Sequence, residues 1–135
     1  MRLFTLSLVF LLVAACGTSS GPSSDMRFSY RGYDAEGSPI SSGWFSLVEE
    51  DSASFSGEWH FTAFGNPEDI GPQIGDGVLV GSREADTLRI GLNPQYMDNN
   101  VSLCGVFDGR TYEGGWLHSS YLGVTNWGTF EATLK

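Results

Sequence analysis

Few side chains in this 135-residue chain could do covalent or acid–base chemistry, and their spacing assembles no catalytic site. The candidates are two cysteines, Cys16 and Cys104, and two histidines, His60 and His118. A catalytic thiol needs a nearby base, and neither histidine is close to Cys104 in sequence. The chain has no Gly-x-Ser-x-Gly elbow, His-Glu-x-x-His motif, P-loop or dinucleotide-binding fingerprint. We therefore expect a protein without enzymatic activity and without a cofactor.

Metal ligands are also poorly placed. His60 has the outward phase of its predicted strand and His118 has the inward phase of Trp116, so a shared metal site is not expected. The carboxylates at 49–51 and 68–69 are neighbours in predicted turns, where such side chains are usually solvated. Neither "GNPED" nor "MDNN" has a ligand at every second residue and a glycine turn, as a calcium loop requires. The sequence therefore predicts no metal site.

Cys16 lies where an apolar run meets a run of glycine and serine. The residues before it combine a positive charge at Arg2, an apolar stretch at 6–13 and the small pair Ala14 and Ala15, which is typical of a secretory signal. The stretch is too short to cross a bilayer as a helix, which takes about 20 residues. "GTSSGPSSD" then has the composition of a flexible tether. The predicted organisation is a signal peptide at 1–15, Cys16 and a tether at 16–26, and a folded domain at 27–135.

The residues Val13-Ala14-Ala15-Cys16 resemble the lipobox of bacterial lipoproteins. The resemblance implies that the Cys16 thiol takes diacylglycerol, that the signal is cut before it, and that the new amino group is often acylated with a fatty acid such as palmitate. Two or more acyl chains hold a protein firmly to a membrane, at about 0.8 kcal/mol per buried CH₂. Gly17 replaces the aspartate that retains some lipoproteins in the inner membrane. The expected location is the bacterial cell envelope, and the outer membrane in a Gram-negative cell.

The same resemblance bears on Cys104. A thioether at Cys16 cannot also form a disulfide, so Cys104 would be left unpaired in an oxidising compartment. One interpretation is a buried strand residue that behaves as a small hydrophobic side chain. The other is a redox or catalytic thiol. The sequence favours the first, because no histidine is near.

The charge of the chain excludes some partners. It has 7 Lys and Arg against 16 Asp and Glu, a net charge of −9, and removal of residues 1–15 would take away Arg2 and leave −10. Phosphate binding needs clustered cations, so nucleic acid is not an expected partner. Contact with an anionic lipid surface is disfavoured as well, so the acyl group would have to anchor the protein alone. The carboxylates favour solubility or a cationic partner.

Apolar and polar residues alternate through most of the chain after the tether. In "FSGEWHFTA", Phe55, Trp59 and Phe61 fall on one face, which is typical of a half-buried antiparallel strand. No stretch keeps a 3.6-residue period for three turns, and Asp108-Gly109 suits a two-residue hairpin turn. The pattern predicts eight strands, near 27–33, 42–48, 54–63, 76–82, 86–92, 101–107, 110–118 and 125–134.

An aromatic-x-Gly-x-Trp motif occurs twice, as "FSGEW" at 55–59 and "YEGGW" at 112–116. In a strand its three defined positions point the same way, and the glycine would leave room for a side chain from the opposite wall. We interpret the motif as packing in a tightly curved sheet rather than as an aromatic ligand platform. The inward candidates, which indicate a filled interior, are Phe55, Trp59, Phe61, Phe107, Tyr112, Trp116 and Phe130.

The connections between the predicted strands alternate in length. In an up-and-down meander the long ones, at 34–41, 64–75, 93–100 and 119–124, gather at the end away from the tether, where binding usually lies. Two interpretations stay open: the apolar loop residues fold over and plug the barrel, or they form an apolar mouth with an acidic rim. The candidate ligand-binding residues are Phe64, Ile70, Ile74, Tyr96, Met97, Tyr121 and Leu122.

The pattern "SGWFSL…FSGEW…GVLVG…TLRIGLNP…VSLCGVFDGRTYEGGW…GTFEATL" resembles small glycine-rich bacterial envelope lipoproteins. The resemblance covers roughly 42–135 and implies an all-β fold, a single eight-stranded antiparallel up-and-down barrel similar to lipocalins and avidins. It implies no ligand, and Trp44 directly after Gly43 departs from the Gly-x-Trp of lipocalins. The expected function is a non-enzymatic binding module that presents its long-loop end to a small apolar ligand or a partner protein. The alternative is a structural or interaction lipoprotein with a filled barrel and no small ligand.

Overall fold

The structure, a computed structural model, describes residues 24–65 and 73–135. The predicted signal peptide, Cys16, most of the predicted tether and Ile70 lie outside the described residues. Every regular element in the described ranges is a β-strand.

Eight antiparallel strands close into a barrel. Each strand pairs with the next along the chain, and β8 pairs back onto β1. The predicted up-and-down barrel is therefore confirmed, and every strand ends within three residues of its predicted bounds. In chain order the strands are β1 (Met26–Tyr33), β2 (Pro39–Glu49), β3 (Ser54–Ala63), β4 (Gly75–Glu84), β5 (Thr87–Gly91), β6 (Asn99–Phe107), β7 (Thr111–Ser120) and β8 (Gly123–Leu134).

The inward face of the sheet forms a packed core. All of the predicted inward aromatic residues are buried, and side chains from every strand join one cluster. Ring centroids of Tyr30 and Phe61 lie 4.0 Å apart, and those of Tyr112 and Phe130 lie 4.6 Å apart. An eight-stranded barrel is just wide enough to be filled by side chains or to hold one small ligand. Here aromatic rings, each of which buries about 150–250 Å², fill it.

The two aromatic-x-Gly-x-Trp motifs occupy equivalent places four strands apart. Trp59 on β3 donates a hydrogen bond from Nε1 to the carbonyl of Leu92 at 2.6 Å, next to the end of β5. Trp116 on β7 donates in the same way to the carbonyl of Tyr33 at 2.7 Å, at the end of β1. Each tryptophan thus ties its hairpin to a strand two places further round the barrel. The barrel therefore consists of two similar halves.

The similarity extends through the turns before these motifs, "DSAS" and "DGRT". Asp108 accepts hydrogen bonds from the backbone N–H groups of Arg110 and Thr111 at 2.8 and 2.7 Å, and from the Thr111 hydroxyl at 2.7 Å. Asp51 accepts the equivalent set from the backbone N–H groups of Ala53 and Ser54 and from the Ser54 hydroxyl. The N–H of Thr111 is the largest cause that lowers the pKa of Asp108 to about 2, and the Ser54 hydroxyl is the largest cause that lowers the pKa of Asp51. Each carboxylate closes a tight turn from its own side chain.

The glycines of the repeated motif are needed for a different reason from the predicted one. A Cβ at Gly57 would overlap the carbonyl oxygen of Ser46, and a Cβ at Gly114 would overlap that of Cys104. Both clashes are with the backbone of the adjacent paired strand, not with a side chain from the opposite wall. The predicted cause is therefore wrong. The absent Cβ lets neighbouring strands approach closely where the sheet coils tightly.

The connections divide between two ends of the barrel. The connections β1–β2, β3–β4, β5–β6 and β7–β8 lie at one end, the long-loop end, and the chain enters β1 and leaves β8 at the other, the tight-turn end. The N–H of Lys135 donates to the carbonyl of Arg27 there at 2.9 Å. The predicted long loop at 119–124 is wrong, because β7 continues to Ser120 and β8 begins at Gly123. Gly123 has a φ of 95°, which suits glycine in a tight hairpin.

Candidate functional site

The candidate binding residues that the structure describes lie at the long-loop end and face solvent. Met97 is 93% exposed, Tyr121 90% and Leu122 93%. Phe64, Ile74 and Tyr96 are also exposed, and Ile70 lies outside the described residues. These described side chains therefore do not plug the barrel. Apolar side chains that stay in water as a group are a signal of interaction.

Four of these residues lie on the β5–β6 connection and the β7–β8 turn, and we call them the loop-tip cluster: Tyr96, Met97, Tyr121 and Leu122. The register of β6 and β7 runs up to Asn99 opposite Ser120. The β5–β6 connection and the β7–β8 turn therefore continue side by side beyond that last pair. The sequence pattern could assign the β5–β6 connection and the β7–β8 turn only to the same end of the barrel. The strand pairing makes them neighbours.

Phe64 and Ile74 lie apart from the loop-tip cluster, where the chain leaves β3 and approaches β4. The guanidinium of Arg31 lies 5.5 Å from the centroid of the Phe64 ring, a cation–π contact. The Phe64 N–H also donates to the carbonyl of Ile40 at 2.8 Å. Phe64 therefore has partners within its own chain, whereas the loop-tip side chains extend into solvent.

The barrel is closed at this end by Gln73, a residue that the sequence analysis did not single out. Its side chain is fully buried, and its Oε1 accepts hydrogen bonds from the hydroxyls of Tyr30 at 2.9 Å and Ser41 at 2.7 Å. Gly32 makes room for the amide, because a Cβ there would lie 2.6 Å from Gln73 Oε1. Within the described part of the chain, Gln73 Nε2 is a buried nitrogen without a hydrogen-bond partner. No local signal could have revealed the contact, since its partners are 43 and 32 residues away.

The buried tyrosines supply hydrogen bonds and no acid–base chemistry. Burial raises the pKa of Tyr30 well above its ordinary value, and the nearby Ser41 side chain offsets only part of this effect. Burial likewise raises the pKa of Tyr112, whose hydroxyl donates to the Leu88 carbonyl at 2.9 Å. Both hydroxyls therefore stay neutral at physiological pH.

The long-loop end is acidic. None of its four connections contains a lysine or an arginine. Its described carboxylates include Asp34, Glu36 and Asp98. A cationic surface would therefore approach this end favourably and an anionic surface would be repelled.

A groove of about 400 Å³ lies on the outer wall of β2, β3 and β4. Trp44, His60 and Asp76 are register neighbours along it, and Glu58 also lines it. The Arg27 guanidinium lies 3.9 Å from the centroid of the Trp44 ring. His60 is exposed, as its predicted outward phase requires. The Trp44 indole therefore already makes a cation–π contact within its own chain.

Cys104 is a free thiol that is half-buried on the outer wall. The prediction of a buried strand cysteine is wrong, because Leu103 and Phe107 take the inward positions of β6 and leave Cys104 on the other face. His118 gives the thiol no base. Its Nε2 and Nδ1 lie 3.1 Å from Asn99 Oδ1 and 2.9 Å from Thr125 Oγ1, close to the long-loop end.

In residues 24–65 and 73–135, no group of three or more His, Cys, Asp and Glu side chains could hold a metal ion. Over the same ranges, no helix has the length and hydropathy of a membrane span. The chain matches no family model, and no curated protein or solved structure is significantly similar to it.

Proposed function

We propose that this chain is a lipid-anchored lipoprotein of the bacterial cell envelope that binds a partner protein with its long-loop end. The loop-tip cluster carries the proposal. Met97, Tyr121 and Leu122 are each at least 90% exposed, on a barrel whose core is filled. Solvent-exposed apolar and aromatic side chains grouped at one end are typical of a contact surface.

The direction in which the chain enters the barrel supports this role. β1 begins at the tight-turn end, opposite the loop-tip cluster. A tether that starts from a lipidated Cys16 would therefore hold the loop-tip cluster on the side away from the membrane. The flexible tether that the sequence predicts would be long enough, at roughly 15–20 Å for nine residues, to lift the barrel clear of the headgroups.

The packing of the interior favours a protein partner over a small apolar ligand. Ring centroids 4.0 and 4.6 Å apart leave no space between Tyr30 and Phe61 or between Tyr112 and Phe130. At the long-loop end the buried amide of Gln73 accepts hydrogen bonds from Tyr30 and Ser41. An apolar ligand would have to replace this hydrogen-bonded group, whereas a protein can dock on the exposed tips without changing the core.

Charge specifies the chemistry of the partner surface. The long-loop connections contain carboxylates and no cation, so the partner should present an apolar centre with lysine or arginine around it. Such a pair associates faster at low ionic strength, because the charges steer the encounter.

The filled core also supports the alternative, a structural envelope lipoprotein that binds no small molecule. The two functions differ at the loop tips. A structural role that does not use this end gives no reason for four exposed apolar side chains there, and it predicts that they can be replaced without effect.

Site-specific photocrosslinking in the native host cell tests the proposal. A photoreactive amino acid at Tyr121 should crosslink one protein, and the same group at Ser52, an exposed position at the tight-turn end, should not. A double variant, Met97→Asp and Leu122→Asp, should abolish the Tyr121 crosslink while the protein keeps its circular dichroism. An absent Tyr121 crosslink, or an equal yield from Ser52, would overturn the proposal. A mass excess in native mass spectrometry that is lost on denaturation would replace it with a small-ligand function.

A further inference from the structure

The side chain of His118 joins three adjacent strands at the long-loop end. Its Nε2 lies 3.1 Å from Oδ1 of Asn99, the first residue of β6, and its Nδ1 lies 2.9 Å from Oγ1 of Thr125 on β8. β6 and β8 are the two neighbours of β7, on which His118 lies. In the β6–β7 register His118 is opposite the buried Val101. The half-buried imidazole is therefore a polar link between strands at the rim of the barrel.

A β-bulge brings Thr125 to this ring. In the register of β7 and β8, His118 lies opposite Asn126. The next residue, Ser119, lies opposite Val124, which leaves Thr125 as an extra residue on β8. A bulge redirects the side chain of the extra residue, and bulges are frequent beside functional sites. The Thr125 hydroxyl also lies 3.4 Å from the His118 carbonyl oxygen, so it contacts both the ring and the backbone of His118.

The partners of the ring determine which nitrogen carries its proton. The Asn99 amide oxygen only accepts hydrogen bonds, so His118 Nε2 carries the proton and donates to it. In the neutral ring, Nδ1 then accepts a hydrogen bond from the Thr125 hydroxyl. Because both nitrogens have complementary partners, the imidazole is held in one tautomer and one orientation.

This hydrogen-bond network lies at the base of the loop-tip cluster. Asn99 follows Met97 by two residues, and Thr125 follows Leu122 by three. Met97, Tyr121 and Leu122 are at least 90% exposed, so the barrel core does not hold their side chains in place. The network adds a side-chain link between the bases of the two loops, beyond the backbone pairing of the strands.

We propose that His118 is a positioning residue for the loop-tip cluster. Through Asn99 and Thr125 it holds the β5–β6 connection and the β7–β8 turn in the arrangement that the partner protein binds. This inference rests on the proposed function, because it concerns the same surface. A surface that is ordered before the encounter loses less conformational freedom on association, and it therefore binds more tightly.

A matched pair of substitutions at Thr125 tests the link without a partner. Thr125→Val removes the hydroxyl and keeps a branched side chain, whereas Thr125→Ser keeps the hydroxyl. Hydrogen exchange of the full chain, followed by mass spectrometry, reports the opening of the β7–β8 turn. The amides of 121–124 should exchange about two- to tenfold faster in Thr125→Val, which loses a hydrogen bond. In Thr125→Ser they should exchange at the wild-type rate.

The Tyr121 photocrosslink in the native host cell measures the effect on binding. Its yield should fall by about two- to tenfold in Thr125→Val, because the loop tips are less ordered before binding. The yield should return to the wild-type level in Thr125→Ser. Thr62→Val is the matched control: it removes an exposed threonine hydroxyl that donates to the Ser42 carbonyl near the long-loop end of β3. It should leave the crosslink and the exchange of 121–124 unchanged.

The outcomes separate this inference from the proposed function. A crosslink that keeps its full yield in Thr125→Val overturns the inference and leaves the proposed function standing. Unchanged exchange in Thr125→Val, or an equal loss of crosslink in Thr62→Val, also overturns it. If the wild-type chain gives no crosslink, the proposed function fails, and the role of His118 in binding fails with it.

A second pair replaces the first if Thr125→Val loses its circular dichroism. His118→Gln keeps a donor for Asn99 and an acceptor for Thr125, whereas His118→Leu keeps neither. The crosslink and the slow exchange should therefore survive better in His118→Gln than in His118→Leu. Equal values for these two variants would overturn the inference.

Discussion

The hydroxyl of Tyr30 donates a hydrogen bond to Oε1 of Gln73 at 2.9 Å, which joins β1 to the β3–β4 connection inside the barrel. The Ser41 hydroxyl donates to the same oxygen at 2.7 Å. One buried carbonyl oxygen therefore satisfies two buried hydroxyls, which would cost stability if left unpaired. The long-loop end is thus closed by a polar contact, while the described apolar loop side chains stay outside.

Gln73→Leu should lower the free energy of unfolding by about 1–3 kcal/mol, because it leaves the two hydroxyls without their acceptor. Urea denaturation measures the change. In a Tyr30→Phe, Ser41→Ala background both donors are already gone, so the same substitution should cost less. An equal cost in the two backgrounds would show that the shared acceptor contributes nothing.

Trp59→Ala and Trp116→Ala should each lower the free energy of unfolding by about 3–5 kcal/mol, because each removes a large buried side chain. The matched control is Trp127→Ala, which removes an indole that is 59% exposed and should change stability by no more than about 0.5 kcal/mol. Thermal and chemical denaturation would measure the stability of the buried-tryptophan variants and of the control. A loss below about 1 kcal/mol at Trp59 is incompatible with its inward position.

Gly57→Ala should destabilise the barrel by about 1–3 kcal/mol or more, since the added methyl group would force β2 and β3 apart. Gly115→Ala is the control. Its Cβ would lie 3.5 Å from the nearest atom, the Gly128 carbonyl oxygen, which is ordinary contact. That change should stay within about 1 kcal/mol. Equal stabilities for the two variants would contradict a steric role for Gly57.

Acid should weaken the Asp108 turn in a defined interval. The pKa of Asp108 is about 2 in the fold against an ordinary 3.8, so folding favours the charged carboxylate. Its contribution to stability is therefore complete above pH 3.8 and is lost as the pH falls from there through about 2. NMR titration of the side-chain carboxyl carbon measures the value. Thr111→Val removes one of its hydrogen bonds and should raise the pKa, and a native pKa of 3.8 or above would contradict the arrangement.

The proposed anchor predicts that Cys16→Ala abolishes incorporation of a labelled fatty acid in a bacterial host. Cys104→Ala is the matched control, because it removes the other cysteine of the chain and should leave the label unchanged. Gel fluorography of the immunoprecipitated protein reads out both. A label that persists in Cys16→Ala, or that depends on Cys104, would refute lipidation at Cys16.

Different physical causes explain what the sequence predicted and what it missed. The inward phase of Trp59 and Trp116 followed from their own strands, because alternation is a property of near neighbours. The predicted loop at 119–124 is two residues long in the structure, at 121–122. Ser119 and Ser120 instead pair with Asn100 and Asn99 of β6, and this tertiary pairing overrides the local preference.

The sequence by itself determined the eight strands, their order and the aromatic filling of the barrel. Each of these depends on short-range alternation and on turn residues between strands. Only the tertiary structure decided that the side chain of Gln73 is buried against Tyr30 and Ser41 and that the β5–β6 connection adjoins the β7–β8 turn. These relationships depend on register across several strands and on closure of β8 onto β1, which no local pattern encodes.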